Sequence, residues 1–164
     1  MPDAVSGDLP DALKTLRTRP LFVMRLDVRP LQIVGAAPGG VRRVGIVFGG
    51  SFAGERLSGE VLDGGSDWQV LRADGVLTLD VRLVLKTTDG AMIGMIYHGL
   101  RHGPADTLAR IDAGETVDPA DYYFRIAPKF ETAAAQYAWI NRIVAVGLGH
   151  RRGDGPVYNV FEVL

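Results

Sequence analysis

The amino-acid sequence predicts an all-β protein folded as a single antiparallel β-barrel, with one short crossover helix and a short N-terminal helix. Three observations predict it. Apolar residues recur with period two along most of the chain, the spacing of a strand with one buried face. Turn sequences such as "ADG", "TTDG" and "RRGDG" separate these segments at short intervals, as in sandwiches and barrels. Glycines at 45, 59, 94 and 147 fall inside the strand patterns, where tight bends and bulges need them.

The elements follow in order. In "SGDLPDALKTLR", Leu9, Leu13 and Leu16 lie on one helical stripe with Pro10 near its start, a position that tolerates proline. Residues 1–20 therefore read as a lead-in segment and 21–164 as the barrel domain. "LFVMRLDV" then places Phe22, Met24, Leu26 and Val28 on one face of a strand. In "VLTLDVRLVLK", Leu77, Leu79, Val81, Leu83 and Leu85 alternate with polar neighbours, and with "AMIGMIYHG" they make residues 68–99 an antiparallel meander. "GPADTLARIDAGE", with Pro104 at its head and Gly114 as its stop, is the crossover helix. "IVAVGLGH" and "VYNVFEVL" close the chain as a hairpin, with Tyr158, Val160, Glu162 and Leu164 on one side.

Composition narrows the partners. The 164 residues suit one domain, and 18 Lys plus Arg against 19 Asp plus Glu give a net charge of −1. No net field draws such a chain to nucleic acid or anionic lipid. The absence of cysteine excludes disulfides, thiolate catalysis and sulfur-ligated metals. No apolar run approaches the length of a membrane span and the first 20 residues carry no signal-like apolar core, so a cytoplasmic location is expected. A homo-oligomer is compatible with the composition.

The stretch "GGSFAGERLSGEVLDGGSDW", Gly49 to Trp68, resembles a phosphate-binding loop only in its glycine content. It holds no lysine, it lacks G-x-x-x-x-G-K-[ST] and G-x-G-x-x-G, and "RLSGEVL" continues as a strand where a phosphate site needs a helix N-terminus. Ser51 misses the nucleophile elbow, because Ala53 stands at the second glycine and no helix follows. His98 and His102 are four apart but flanked by Gly99 and Gly103, which disfavours the helix that such a ligand pair needs. Neither a metal nor an organic cofactor is expected.

That glycine-rich run is followed by "DGVLTLDVRLVLKTTDGAMI", "YHGLRHGP", "YYFRIAPKFET", "YAWINRIVAVGLGHR" and the closing "VFEVL". The ordered series resembles the bacterial and fungal DUF3237 family over residues 21–164. The resemblance implies a compact barrel similar to the allene oxide cyclase and dirigent type, and it implies no particular reaction.

Chemistry must then be read from the residues. In "YYFRIAPKFET", Tyr123 and Arg125 share a face opposite Tyr122, Phe124 and Ile126, so a phenol and a guanidinium can point together into a barrel mouth, with Pro128 ending the strand before Glu131. Asp67 beside Trp68 is a carboxylate next to a large indole, an arrangement that raises a carboxyl pKa. The catalytic candidates are thus Asp67, Glu131 and Tyr123. The candidates for substrate binding are Trp68, Tyr97, Arg101, Arg125, Trp139 and Asn141: aromatic walls, an amide, and guanidinium groups that can hold an anionic oxygen. Each has a structural alternative, namely a buried ion pair, an Asx turn or core aromatics. Two functions stay open. One is a cofactor-independent enzyme doing acid/base chemistry of isomerase, cyclase or lyase type on a small carbonyl-containing cyclic or aromatic molecule; the other is a non-catalytic barrel that binds such a molecule. An unpaired carboxylate facing the cavity favours the first, and one locked to arginine favours a scaffold.

Overall fold

A computed structural model describes residues 9–164. Strand β1 (Thr18–Val28) turns Phe22, Met24 and Leu26 inward and Val23 and Arg25 outward, as its alternation requires. After a break at Arg29–Leu31 the chain continues as β2 (Gln32–Ala37), and it returns as the long β3 (Gly40–Ala53). The first half of β3 pairs β2 on one edge and β5 (Gly65–Leu71) on the other; its second half pairs β1 and β4 (Ser58–Val61). One long strand thereby closes the sheet, and β4 and β5 together occupy one position in the ring.

The remaining strands are β6 (Leu77–Thr87), β7 (Met92–His102), β8 (Tyr123–Glu131), β9 (Val144–Arg152) and β10 (Gly155–Val163). Antiparallel pairing runs β1-β10-β9-β8-β7-β6 and returns through β4 and β5 to β3 and β1. The result is a closed eight-position antiparallel barrel with β2 as an extra strand. Helix α1 (Ala105–Asp112) crosses over between β7 and β8, where Thr107 and Ile111 are buried. No helix among the described residues is long and apolar enough to cross a membrane.

The predicted meander and terminal hairpin are present, with β5 starting a few residues before position 68. All five alternating apolar residues of β6, Leu77 to Leu85, are buried. The glycines of the 49–68 run serve the curvature. At Gly50, φ is 144° and a Cβ would lie 2.2 Å from the Arg25 carbonyl oxygen, so only glycine lets β3 bend this closely against β1.

Two sequence expectations need correction. The N-terminal helix is a single 3₁₀ turn, Asp11–Leu13, within the part of the lead-in that is described. Leu13 and Leu16 stay exposed, so no apolar burial supports a longer helix. Pro128 does not end its strand: β8 runs through it to Glu131. The direct β8–β9 pairs are Arg125–Leu148 and Ile126–Gly147. Beyond them the strands part around a 3₁₀ segment, Ala135–Arg142, and proline is tolerated where a strand edge is unpaired.

The two ends of the barrel differ. At one end Glu162 points inward from β10 and accepts hydrogen bonds from Arg19 and Arg56. Those arginines hold its carboxyl below the usual glutamate range, and the Arg56 guanidinium lies 4.0 Å from the Trp139 ring centre. This end is plugged by a satisfied ion-pair network. The other end carries the cavity.

Candidate functional site

Five strands bring polar side chains inward under α1: β3, β5, β7, β9 and β10 supply Arg43, Asp67 with Gln69, Tyr97 with Arg101, Arg151, and Tyr158. They surround a cavity of about 140 Å³. Leu26, Val28, Val47, Ile111 and Phe124 complete its wall. Gly45 belongs to this wall, and a Cβ there would stand 3.2 Å from Val28 and 3.9 Å from Asp67 Cβ. A side chain there would press on Val28 and on Leu31, 3.4 Å away, so glycine lets these two residues close over the cavity wall.

Asp67 is the centre of the polar group, with 8% of its surface exposed. Gln69 Nε2 donates to its Oδ2 at 2.7 Å, and the Asp80 backbone N–H donates weakly to Oδ1 at 3.4 Å. Arg43 Nε donates to Gln69 Oε1 at 2.8 Å, which fixes the amide so that its NH₂ faces the carboxylate. Burial pushes the Asp67 pKa up to about 6, against the opposing pull of the Gln69 and Asp80 hydrogen bonds and the charges of Arg101 and Arg43. Among the described residues no arginine forms an ion pair with Asp67, in contrast to Glu162 at the other end.

Beneath it, Tyr97 and Tyr158 pack edge to face with ring centres 5.5 Å apart. Burial raises both phenol pKa values, and the nearby Asp67 charge adds to the effect. Both remain neutral hydroxyls that can donate a hydrogen bond. Above it, Arg101 is 7% exposed, and its guanidinium lies 5.7 Å from the Phe124 ring centre. Such an array offers a base, neutral donors and fixed positive charge around one small space. Proton abstraction beside a carbonyl uses a base and a donor or positive charge at the oxygen that becomes negative.

Residues 16–163 match the family model described as a protein of unknown function, DUF3237. The chain belongs to the DUF3237 family. A UPF0311 protein of Rhodopseudomonas palustris is 35% identical over 150 residues, covering 92% of this chain and 98% of the relative. The crystal structure of a R. palustris protein of unknown function superposes with a TM-score of 0.89 at 35% identity, covering 92% of this chain and 99% of that one. A β-barrel-like protein from Acinetobacter baumannii has a TM-score of 0.82 at 36% identity, covering 96% and 99%. An enzyme from Penicillium herquei shares the fold at 20% identity, with a TM-score of 0.71 and coverage of 95% and 100%.

Of the nine candidate residues, this DUF3237 barrel brings Asp67, Tyr97 and Arg101 together. The other six lie elsewhere. Trp68 is adjacent to Asp67 and so points out of the barrel, 50% exposed with the Arg42 guanidinium 5.9 Å from its ring. Asp67 is desolvated by the barrel interior and not by the indole. Tyr123, Arg125 and Glu131 occupy the outward face of β8, because burying Phe124, Ile126, Pro128 and Phe130 costs nothing polar. Tyr123 stacks on His102, and Arg125 lies over the Tyr123 ring and donates to the Phe124 carbonyl. Trp139 joins the plug at the opposite end. Asn141 bridges the Thr132 backbone, accepting from its N–H at 2.8 Å and donating to its C=O at 3.0 Å.

Arg43, Gln69, Arg151 and Tyr158 escaped sequence reasoning. Gln69 carried a signal: it sits two residues after Asp67 and must share its strand face. Tyr158 carried another, being in register with the apolar residues Val160 and Leu164. Arg43 and Arg151, and Arg152, which also lines the cavity, carried none, since no local pattern separates a cavity-lining arginine from one that is not, such as Arg42.

Proposed function

We propose that the barrel is a cofactor-independent acid/base enzyme for a small carbonyl-containing cyclic or aromatic molecule. The observation that carries the reading is Asp67: a buried carboxyl with a pKa near 6, facing a cavity and bound to no arginine. A general base works best with a pKa near the operating pH.

The chemistry follows from the placement of the groups. Asp67 takes a proton from a carbon next to the substrate carbonyl, and the C–H electron pair moves into the carbonyl to give an enolate. A hydroxyl of the hydrogen-bonded Tyr97–Tyr158 pair donates to the oxygen as it becomes negative, and the Arg101 charge adds to the stabilisation. Returning the proton from Asp67 to a different carbon completes an isomerisation; expelling a substituent from the β-carbon completes an elimination. Gln69, held by Arg43, keeps the carboxylate in one orientation throughout.

The test is hydrogen–deuterium exchange in D₂O, followed by NMR on a panel of small cyclic ketones and β-dicarbonyl compounds. Wild type should accelerate α-exchange of at least one member, and Asp67→Asn should lower that rate by about 10²- to 10⁴-fold, the usual contribution of a positioned base. Binding without exchange by wild type would leave a non-catalytic binding barrel. Equal exchange by the variant would remove Asp67 from the chemistry.

A further inference from the structure

Four arginines line this cavity: the buried Arg101, the half-buried Arg43 and Arg151, and the exposed Arg152. Their shared counter-charge is poor. Asp112, at the C-terminal end of α1, is half exposed and stands 3.9 Å from Arg43 and 3.7 Å from Arg101, too far for a hydrogen bond. Arg101 is more than nine-tenths buried, yet its Nε has no hydrogen-bond partner. Buried N–H groups of a charged side chain are ordinarily satisfied, because leaving one bare forfeits its hydration without return. The Arg43 and Arg151 charges also repel that of Arg101, and together with burial, the larger cause, they pull its pKa down. Arg152, the fourth, is already paired with Asp154 at 3.4 Å.

We infer that the cavity takes a compact monocarboxylate, its carboxylate on Arg101 and Arg43 and its apolar ring against Leu26, Val47, Ile111 and Phe124. The planar guanidinium fork matches a carboxylate's two oxygens. A volume of about 140 Å³ is close to the roughly 150 Å³ in which a single benzene ring is known to fit, so the body is one ring or its aliphatic equivalent. Arg43 links the two parts of the site, since its Nε is engaged by Gln69 and its terminal nitrogens stay available to the anion. This assignment rests on the reading of the cavity as the functional site, and it specifies the substrate class: a cyclic keto acid, its carboxylate on the arginines and the C–H beside its ketone facing Asp67.

Isothermal titration with benzoate, benzamide and inorganic phosphate tests it. Benzoate should bind at least tenfold more tightly than benzamide, its uncharged counterpart, and more tightly than phosphate, which has no apolar body. Arg101→Gln should weaken benzoate by about tenfold or more, the scale of one charge-assisted hydrogen bond, while the outward Arg125→Gln should not change it. If Arg101→Gln fails to fold, Arg43→Gln and Arg151→Gln make the same measurement from the rim. Asp67→Asn should tighten benzoate, because it removes a negative charge from the cavity, while slowing deuterium exchange by the same roughly 10²- to 10⁴-fold. Equal binding of benzoate and benzamide, equal binding of benzoate and phosphate, or indifference to all three arginine substitutions would overturn the carboxylate assignment. In each case exchange of a neutral ketone that depends on Asp67 would still stand, so the two ideas fail separately.

Discussion

Asp67→Asn should make this protein more stable at neutral pH while removing its chemistry. The Asp67 carboxyl has a pKa of about 6 in the folded protein against an ordinary value of 3.8. Below pH 3.8 it is protonated in both states and its ionisation contributes nothing. Between about pH 4 and pH 6 the unfolded chain ionises and the folded one does not, so the folded state holds the extra proton and stability falls as pH rises. Above pH 6 both forms are ionised and the deficit is constant. At about 1.4 kcal/mol per pH unit, the interval amounts to about 3 kcal/mol. Asparagine can still accept the Gln69 hydrogen bond through its carbonyl oxygen, giving up only the weak 3.4 Å contact from the Asp80 N–H, and it carries no charge to desolvate. Urea denaturation of wild type and variant between pH 4 and pH 8 should therefore give a stability difference near zero at the acid end. It should grow to as much as about 3 kcal/mol in favour of the variant by pH 7. A difference that does not change with pH would mean that Asp67 is not desolvated, and the argument for a poised base would fall with it.

Gln69→Ala removes the carboxylate's strongest donor, so the Asp67 pKa should rise above 6, read by ¹³C NMR of the carboxyl, and the pH profile of exchange should move to higher pH with it. Gly45→Val crowds Val28 and Leu31 in the cavity wall and pushes them against the space beside Asp67; benzoate binding should weaken while circular dichroism retains the barrel signature. Glu162→Gln unpairs Arg19 and Arg56 at the plugged end. Its melting temperature should be lower than wild type at pH 7, and the gap should close as pH falls below the ordinary glutamate value of 4.5, since the ion pair's stabilisation exists only while Glu162 is ionised. Benzoate binding should be unaffected by that change.

Much of the barrel was legible because period-two alternation is a local property. β6 shows Leu77 to Leu85 on one face in sequence and in space, and the β9–β10 hairpin follows from its turn. The site was legible only where a residue's own chemistry signalled it, as with Asp67 and Arg101. β8 shows the limit. Its two faces each carry aromatic and aliphatic carbon, and the face bearing Tyr123, Arg125 and Glu131 looked the more functional; closure of the sheet turned it to solvent. In β5 residue preference points the wrong way, because tryptophan is ordinarily more buried than aspartate. Here Trp68 lies outside and Asp67 inside.

What the sequence by itself determined is the strand pattern, the pairing of neighbours across short turns and the sets of residues that share a face. Which face became the interior was decided by tertiary structure. A period of two defines two faces equally well, and only the closing of β3 against β1 assigns one of them to the core. The same closure assembled the cavity. Arg43, Asp67, Tyr97, Arg101, Arg151 and Tyr158 come from five strands spread over most of the chain, and their burial, missing hydrogen bond and raised carboxyl pKa are properties of a shared enclosure that no local stretch contains.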